Sequence, residues 1–151
     1  MQSRMKNPAM IIPEAMAGIQ ALQVATTKGE LPAKTLALVH LRASQINGCT
    51  PCIEGGSRAA KKGGESDERL TALATWRDAP YFSKEERAAL ALSEAVTRLS
   101  DRADPVPDEL WKEATRHYNE TQLAALILSI ALTNVYNRLN VSTRQLPGQW
   151  G

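Results

Sequence analysis

The sequence predicts an all-α fold of about seven helices. Alanine and leucine dominate the 151 residues, and aromatic residues make up only 5%. Helix formers are therefore abundant and strand formers scarce. No segment alternates strictly between polar and apolar residues, and no internal repeat or low-complexity run interrupts the helical periodicity. The length fits one domain, taken as 1–151. A chain of this size buries about 70% of the surface it exposes when unfolded, enough for a core without disulfide or metal staples.

The first helix is expected from Pro13 to about Lys28, with proline in its first turn and Gly29 past its end. Met16, Ile19 and Leu22 share one face. Pro32 opens a second helix to about Ile46, with Leu36, Val39, Ala43 and Ile46 inward, and Asn47-Gly48 breaks it. A third runs from Cys49–Cys52 to Lys62 and stops at Gly63-Gly64. Ser66 caps a fourth, with Asp67 and Glu68 in its first turn and Leu70, Leu73 and Ala74 inward. Ser83-Lys84-Glu85-Glu86 has the form of a capping box and starts a fifth helix that ends near Leu99. Asp108 caps a sixth through His117. Asn119 to Gln122 starts a seventh, to about Leu139, that is apolar nearly all round. Its Leu123, Leu126, Ile127, Ile130 and Asn134 share a face, while Leu128 and Leu132 add apolar surface elsewhere. Such a helix belongs in a core or an oligomer interface. Gln145 to Gly151 reads as a tail.

Lys+Arg 18 against Asp+Glu 16 gives a formal charge of +2, with no basic run, so nucleic-acid binding is not indicated. The longest apolar stretch, Leu123 to Leu132, falls well short of the ~20 residues of a membrane span. The N-terminus has no apolar region of signal-peptide type. A cytoplasmic location, away from membrane, is the expectation.

Cys49 and Cys52 are the only cysteines, separated by Thr50-Pro51. Three readings are open. The pair can be two small buried hydrophobes. It can be half of a zinc site completed by His40 and His117, although the sequence lacks a second CxxC or a His pair at zinc spacing. It can be a redox dithiol, the favoured reading, because a helix beginning here would favour a thiolate through its free N–H groups. Thioredoxin-like proteins also carry CxPC, but after a strand, whereas helical periodicity precedes it here. No metal or cofactor is called for. Trp76, Tyr81 and Phe82 read as core or interface packing, and His117 as a surface or hydrogen-bonded histidine. Asn134, Asn137 and Arg138 are unusual on so apolar a helix and are expected to fix an oligomer contact or line the site.

The segment Leu41-Arg42-Ala43-Ser44-Gln45-Ile46-Asn47-Gly48-Cys49, followed by Cys52, resembles the active-site segment of the alkylhydroperoxidase D-like (AhpD-like) proteins of the carboxymuconolactone decarboxylase superfamily. The match continues through Gly64-Glu65, Arg69-Leu70, Trp76-Arg77, Pro80-Tyr81-Phe82, Glu86 to Leu90, Glu94-Ala95 and Asn134 to Leu139. It spans about Leu31 to Leu139 and is far more specific than CxxC alone. The resemblance implies an AhpD-like helical bundle that forms a homo-oligomer, a dimer, trimer or hexamer. It also implies thiol-dependent peroxide reduction in antioxidant defence. Cys52 would attack the hydroperoxide, Cys49 would resolve the sulfenic acid as a disulfide, and a dithiol or lipoyl-type reductant would restore the pair.

The chain departs from that pattern at two places. The family's peroxidases carry a histidine four residues after the second cysteine, where this chain has Gly56, and a glutamate twelve residues before the first, where it has Ala37. His40, one turn beyond Ala37, and Glu54, two residues past Cys52, are the candidate substitute acid–base groups. Each also has a structural reading, His40 at the surface and Glu54 as a solvated first-turn carboxylate. The alternative function is a non-peroxidatic redox-sensing or binding protein of the same fold. Lactone decarboxylation ranks last, since it needs no dithiol.

Overall fold

The computed structural model describes residues 2–148, and no strand occurs among them. Eight α-helices follow one another: α1 Pro8–Ile11, α2 Pro13–Thr26, α3 Ala33–Ile46, α4 Thr50–Lys62, α5 Asp67–Ala72, α6 Lys84–Thr97, α7 Asp108–His117 and α8 Glu120–Thr143. The expected seven are present, and the eighth is the four-residue α1, capped by Asn7 through its side chain. It is too short to leave a periodic signal.

Local chemistry sets most boundaries. Ser66 accepts from Arg69 N, and both expected capping boxes, Ser83 with Glu86 and Asn119 with Gln122, close fully. At α7 the cap is Pro107, and Asp108 is the first helical residue without a capping hydrogen bond, so the expected aspartate cap is displaced by one position. Ala74 is exposed, although Leu73 beside it is fully buried. The chain there tightens into a 3-10 turn at Leu73–Thr75, which shifts the helical period. The long α8 continues four residues past Leu139, because Asn140 and Thr143 are themselves buried and no breaker intervenes before Arg144. Gln145 folds back and donates to Met5 O at 2.8 Å, and residues 149–151 of the expected tail lie outside the described residues.

Two apolar clusters share α3 and α6. Val39, Ala89 and Leu92 join Leu123, Leu126 and Ile130 of α8 in one. Leu38, Leu41 and Leu90 join Ala60, Leu73, Trp76 and Phe82 in the other. Successive residues of a helix turn by about 100°, so Leu38 and Val39 serve different clusters, and His40 between Val39 and Leu41 faces a third direction. That direction is the junction of α3 with α4 and α8, both of which pack on it. Tyr81 is exposed, while Trp76 and Phe82 are buried as expected. Leu128, Val135 and Val141 on α8 and Met10, Ile11, Ile12 and Val24 near the N-terminus remain exposed on the single chain. No helix is long and apolar enough to cross a membrane among the described residues.

Candidate functional site

The site begins where α3 ends. Gly48 takes a left-handed conformation, with φ of 65°, which suits glycine because it has no Cβ to clash. The turn lets Cys49 N donate to Ser44 O at 3.0 Å and places Cys49 as the residue that precedes α4. Pro51 sits in the first turn, where its missing N–H costs nothing. Cys52 follows one residue later, and the two sulfurs form a disulfide. The positive end of α4 lies at the pair, which favours negative charge on sulfur when the bond is reduced.

The two cysteines differ in access. Cys49 is 0% exposed, and Cys52 is 7% exposed. Only Cys52 lines a cavity of about 390 Å³, whose wall also includes His40, Glu54, Gly56, Tyr136 and Asn140. Asn140 donates from Nδ2 toward both sulfurs, at 3.3 Å from Cys52 Sγ and 3.7 Å from Cys49 Sγ. Its carbonyl oxygen accepts from Asn7 Nδ2 at 2.9 Å, and Asn7 Oδ1 accepts from Ala9 N at 2.9 Å. The Asn140 amide is therefore held with its N–H side to the sulfurs by a residue at the other end of the chain.

The turn that leads into Cys49 is fastened to α8 by amides. Asn47 Nδ2 donates to Asn134 Oδ1 at 3.0 Å and Asn137 Oδ1 at 2.8 Å, and Asn137 Nδ2 donates to Ser44 Oγ at 3.0 Å. Arg138 adds a bond to Asn134 Oδ1 at 3.0 Å. The inward face of α8 is thus apolar at Leu123, Leu126 and Ile130 and amide-bearing at Asn134, Asn137 and Asn140. Asn134, Asn137 and Arg138, expected to fix an oligomer contact or line the site, do not border the Cys52 cavity; Asn137 and Arg138 border a separate one of about 410 Å³ with Asn47.

His40 is placed by α3 and held by α8. Its Nδ1 lies 3.2 Å from Thr133 Oγ1, whose own hydroxyl donates to Ser129 O at 2.9 Å. The two ring nitrogens thus face Thr133 on α8 and the wall of α4 at Gly56. Burial pushes the His40 pKa down, against a smaller opposing effect of the Cys52 backbone carbonyl. The ring lies directly over Gly56: a Cβ at position 56 would sit 2.9 Å from His40 Cδ2 and 3.2 Å from Nε2. Glu54 lines the same cavity at its open side, in an exposed ion pair with Arg58. Ala37 and Gly56 both border a second cavity, about 470 Å³, that adjoins the first across His40. Burial also pushes the Tyr136 phenol up.

The zinc reading does not gather a ligand set. His117 lies at the end of α7 with Nε2 3.1 Å from Glu113, and no group of three or more His, Cys, Asp or Glu side chains suited to a metal occurs among the described residues. Sequence reasoning missed Asn7, Thr133 and Asn140. The spacing of Asn134, Asn137 and Asn140 by three was the available signal for Asn140, whereas nothing local marks Asn7.

The carboxymuconolactone decarboxylase family model matches residues 13–95. YdfG of Bacillus subtilis, an uncharacterised protein, is 36% identical over 132 residues, covering 87% of this chain and 88% of its own. A crystal structure from Agrobacterium tumefaciens, of a protein of unknown function suggested to be the antioxidant defence protein AhpD, superposes with a TM-score of 0.89 at 27% identity. It covers 97% of this chain and 98% of its own. The debrominase Bmp8 superposes with a TM-score of 0.79 at 20% identity, covering 91% of this chain and 73% of its own, a likeness of fold alone.

Proposed function

Because the chain belongs to the carboxymuconolactone decarboxylase family and presents one accessible and one enclosed cysteine at the head of a helix, we propose that it is a thiol-dependent peroxidase of antioxidant defence. The carrying observation is the asymmetry of the pair: Cys52 lines the cavity, and Cys49 is sealed behind it. A peroxidatic sulfur must meet its substrate, whereas a resolving sulfur needs only to reach its partner.

In the reduced protein the Cys52 thiolate attacks the outer oxygen of a hydroperoxide. The S–O bond forms, the O–O bond breaks, and an alkoxide leaves and takes a proton to become an alcohol. Cys49 then attacks the Cys52 sulfenic acid, and the S–S bond forms as hydroxide leaves and is protonated to water. Two thiols and one hydroperoxide become one disulfide, one alcohol and one water. An external dithiol, such as a lipoyl-type group, attacks the accessible Cys52 sulfur, releases Cys49, and restores both thiols. The helix terminus and the Asn140 amide stabilise the thiolate at each stage where sulfur carries charge. Contacts between subunits of a homo-oligomer would cover the exposed apolar residues of α8.

The test is single-turnover thiol loss when reduced protein meets tert-butyl hydroperoxide. The expected result is loss of both thiols far faster than for glutathione, with Cys52→Ser reduced to the background rate. A rate no faster than glutathione rejects the peroxidase. The second reading, a redox-sensing or binding dithiol protein, is favoured by Gly56 and Ala37 standing where the resembling peroxidases carry histidine and glutamate. It predicts rapid exchange with dithiols and no rapid reaction with peroxide.

A further inference from the structure

The His40 ring and Gly56 fit one another. A Cβ at position 56 would come within 2.9 Å of His40 Cδ2 and of Leu41 Cδ2, closer than carbon atoms pack. The glycine is therefore the gap that lets a ring from α3 reach the wall of α4. No turn requires Gly56, which lies inside α4, where glycine costs about 1 kcal/mol relative to alanine. The ring occupies the gap and borders the cavity that Cys52 opens into.

We infer that His40 is the acid–base group of this dithiol site, taking the proton of the Cys52 thiol and giving it to the alkoxide that leaves the peroxide. The inference rests on the peroxidase reading above and adds a catalytic residue to it. Two features of the surroundings suit both protonation states of the ring. Nδ1 is engaged by Thr133 Oγ1 at 3.2 Å, which leaves Nε2, on the Gly56 side of the ring, as the atom that gains and loses the proton. The Cys52 backbone carbonyl near the ring is an acceptor for the protonated form. Burial keeps the resting ring neutral, which is the state that can accept a proton. Glu54, the other candidate, is paired with Arg58 in the open and has no such enclosure.

The proton inventory closes. The thiol proton moves to Nε2, the thiolate sulfur bonds to the outer peroxide oxygen, and the O–O bond breaks. The Nε2 proton then passes to the departing alkoxide, which leaves as alcohol, and His40 returns to neutral. In resolution the Cys49 thiol proton leaves with the departing hydroxide as water.

The oxidant itself separates this role from a structural one. The alkoxide released from tert-butyl hydroperoxide needs a proton, whereas the acetate released from peracetic acid does not. Single-turnover thiol loss is measured for wild type and His40→Gln with both oxidants, and for His40→Ala as a second variant, with thermal unfolding as a check on folding. The expected result is a loss of about a hundredfold with the hydroperoxide and less than tenfold with the peracid. An equal loss with both oxidants, or no loss with either, overturns the role of His40 and leaves the peroxidase standing. Wild type no faster than glutathione with the hydroperoxide overturns the peroxidase itself, and the role of His40 with it.

Discussion

Two buried polar clusters in this molecule are built on opposite principles. On the sulfur side most hydrogen-bonded groups are neutral: Asn140 donates to the sulfurs and is held by Asn7, and Asn47 joins Asn134 and Asn137, with Arg138 bonded to Asn134. At the far side of α3 and α6 the partners are charged. Glu94 accepts from Arg42 at 2.7 Å and Trp76 Nε1 at 2.9 Å and pairs with Arg77 at 2.7 Å. Arg69 joins Glu65 at 2.7 Å to Glu86 at 2.5 Å, and its guanidinium lies over the Phe82 ring. Arg87 donates to the carbonyls of Phe82, Trp76 and Arg77.

The difference is one of use. In the charged cluster Glu94 is paired with Arg42 and Arg77, and Arg69 with Glu65 and Glu86, so these charges serve to hold α3, α5 and α6 together. In the amide cluster the side chain that donates to the sulfurs, Asn140, is neutral. The site supplies directional N–H groups, and the His40 ring on the wall of the same cavity can change protonation. A charge formed on sulfur is then free to do chemistry, because its side-chain donor carries no charge to cancel it.

The largest break falls on the sulfurs. Cys52→Ser is expected to remove thiol-dependent peroxide reduction, while Cys49→Ser leaves a protein that stops at the sulfenic acid, trapped by dimedone and read by mass spectrometry. A first oxidation abolished by Cys49→Ser and retained by Cys52→Ser would reverse the two roles.

Next is the charged cluster. Glu94→Ala leaves Arg42 and the Trp76 N–H without their acceptor and is expected to cost about 3 kcal/mol of stability, read as a lower denaturant midpoint, with the single-turnover rate of the folded protein unchanged. Acid probes the same group. Burial opposes its charge, but the hydrogen bonds from Arg77, Trp76 and Arg42 outweigh that and hold Glu94 at about 2. Its contribution is therefore complete above its ordinary value and is lost as pH falls from near 4.5 toward 2. Unfolding curves across that window are expected to be steeper in pH for wild type than for Glu94→Gln. Parallel curves would show that Glu94 is not the group that responds.

Smaller effects belong to the amides. Asn140→Ala removes the N–H aimed at Cys52 and is expected to slow alkylation of Cys52 at neutral pH by about tenfold, the value of one hydrogen bond to a charged group. Asn7→Ala leaves Asn140 in place without its orienting partner and is expected to slow the same reaction by about threefold. A larger effect from Asn7→Ala than from Asn140→Ala would mean that the N-terminal segment acts by another route.

Much of this was legible locally. The capping residues Ser66, Ser83 and Asn119, the Asn47-Gly48 break and the cysteine pair at a helix start are short-range features, and short-range chemistry produces them. The resemblance segments proved to be of two kinds. Ser44, Asn47, Cys49 and Cys52 build the sulfur site, whereas Arg42, Glu65, Arg69, Trp76, Arg77, Glu86, Arg87 and Glu94 build the charged cluster. A matched residue thus tells nothing by itself of chemistry as against scaffold. What stayed hidden needed tertiary contacts. Gly56 reads as a lost side chain in the sequence and as the seat of the His40 ring in the fold. Asn7 reaches Asn140 across 133 positions, and no spacing rule links them. The 3-10 turn at Leu73–Thr75 turned Ala74 outward, since the expected register assumed an unbroken α-helix.

Competitive alkylation tests the central claim, that the accessible sulfur of an asymmetric pair is the reactive one. Reduced protein is treated with substoichiometric iodoacetamide at neutral pH, and the modified cysteine is located by mass spectrometry. Modification is expected at Cys52 first, faster than glutathione, with Cys49 protected. Modification of Cys49 first, or of both at the rate of an ordinary exposed thiol, would contradict it.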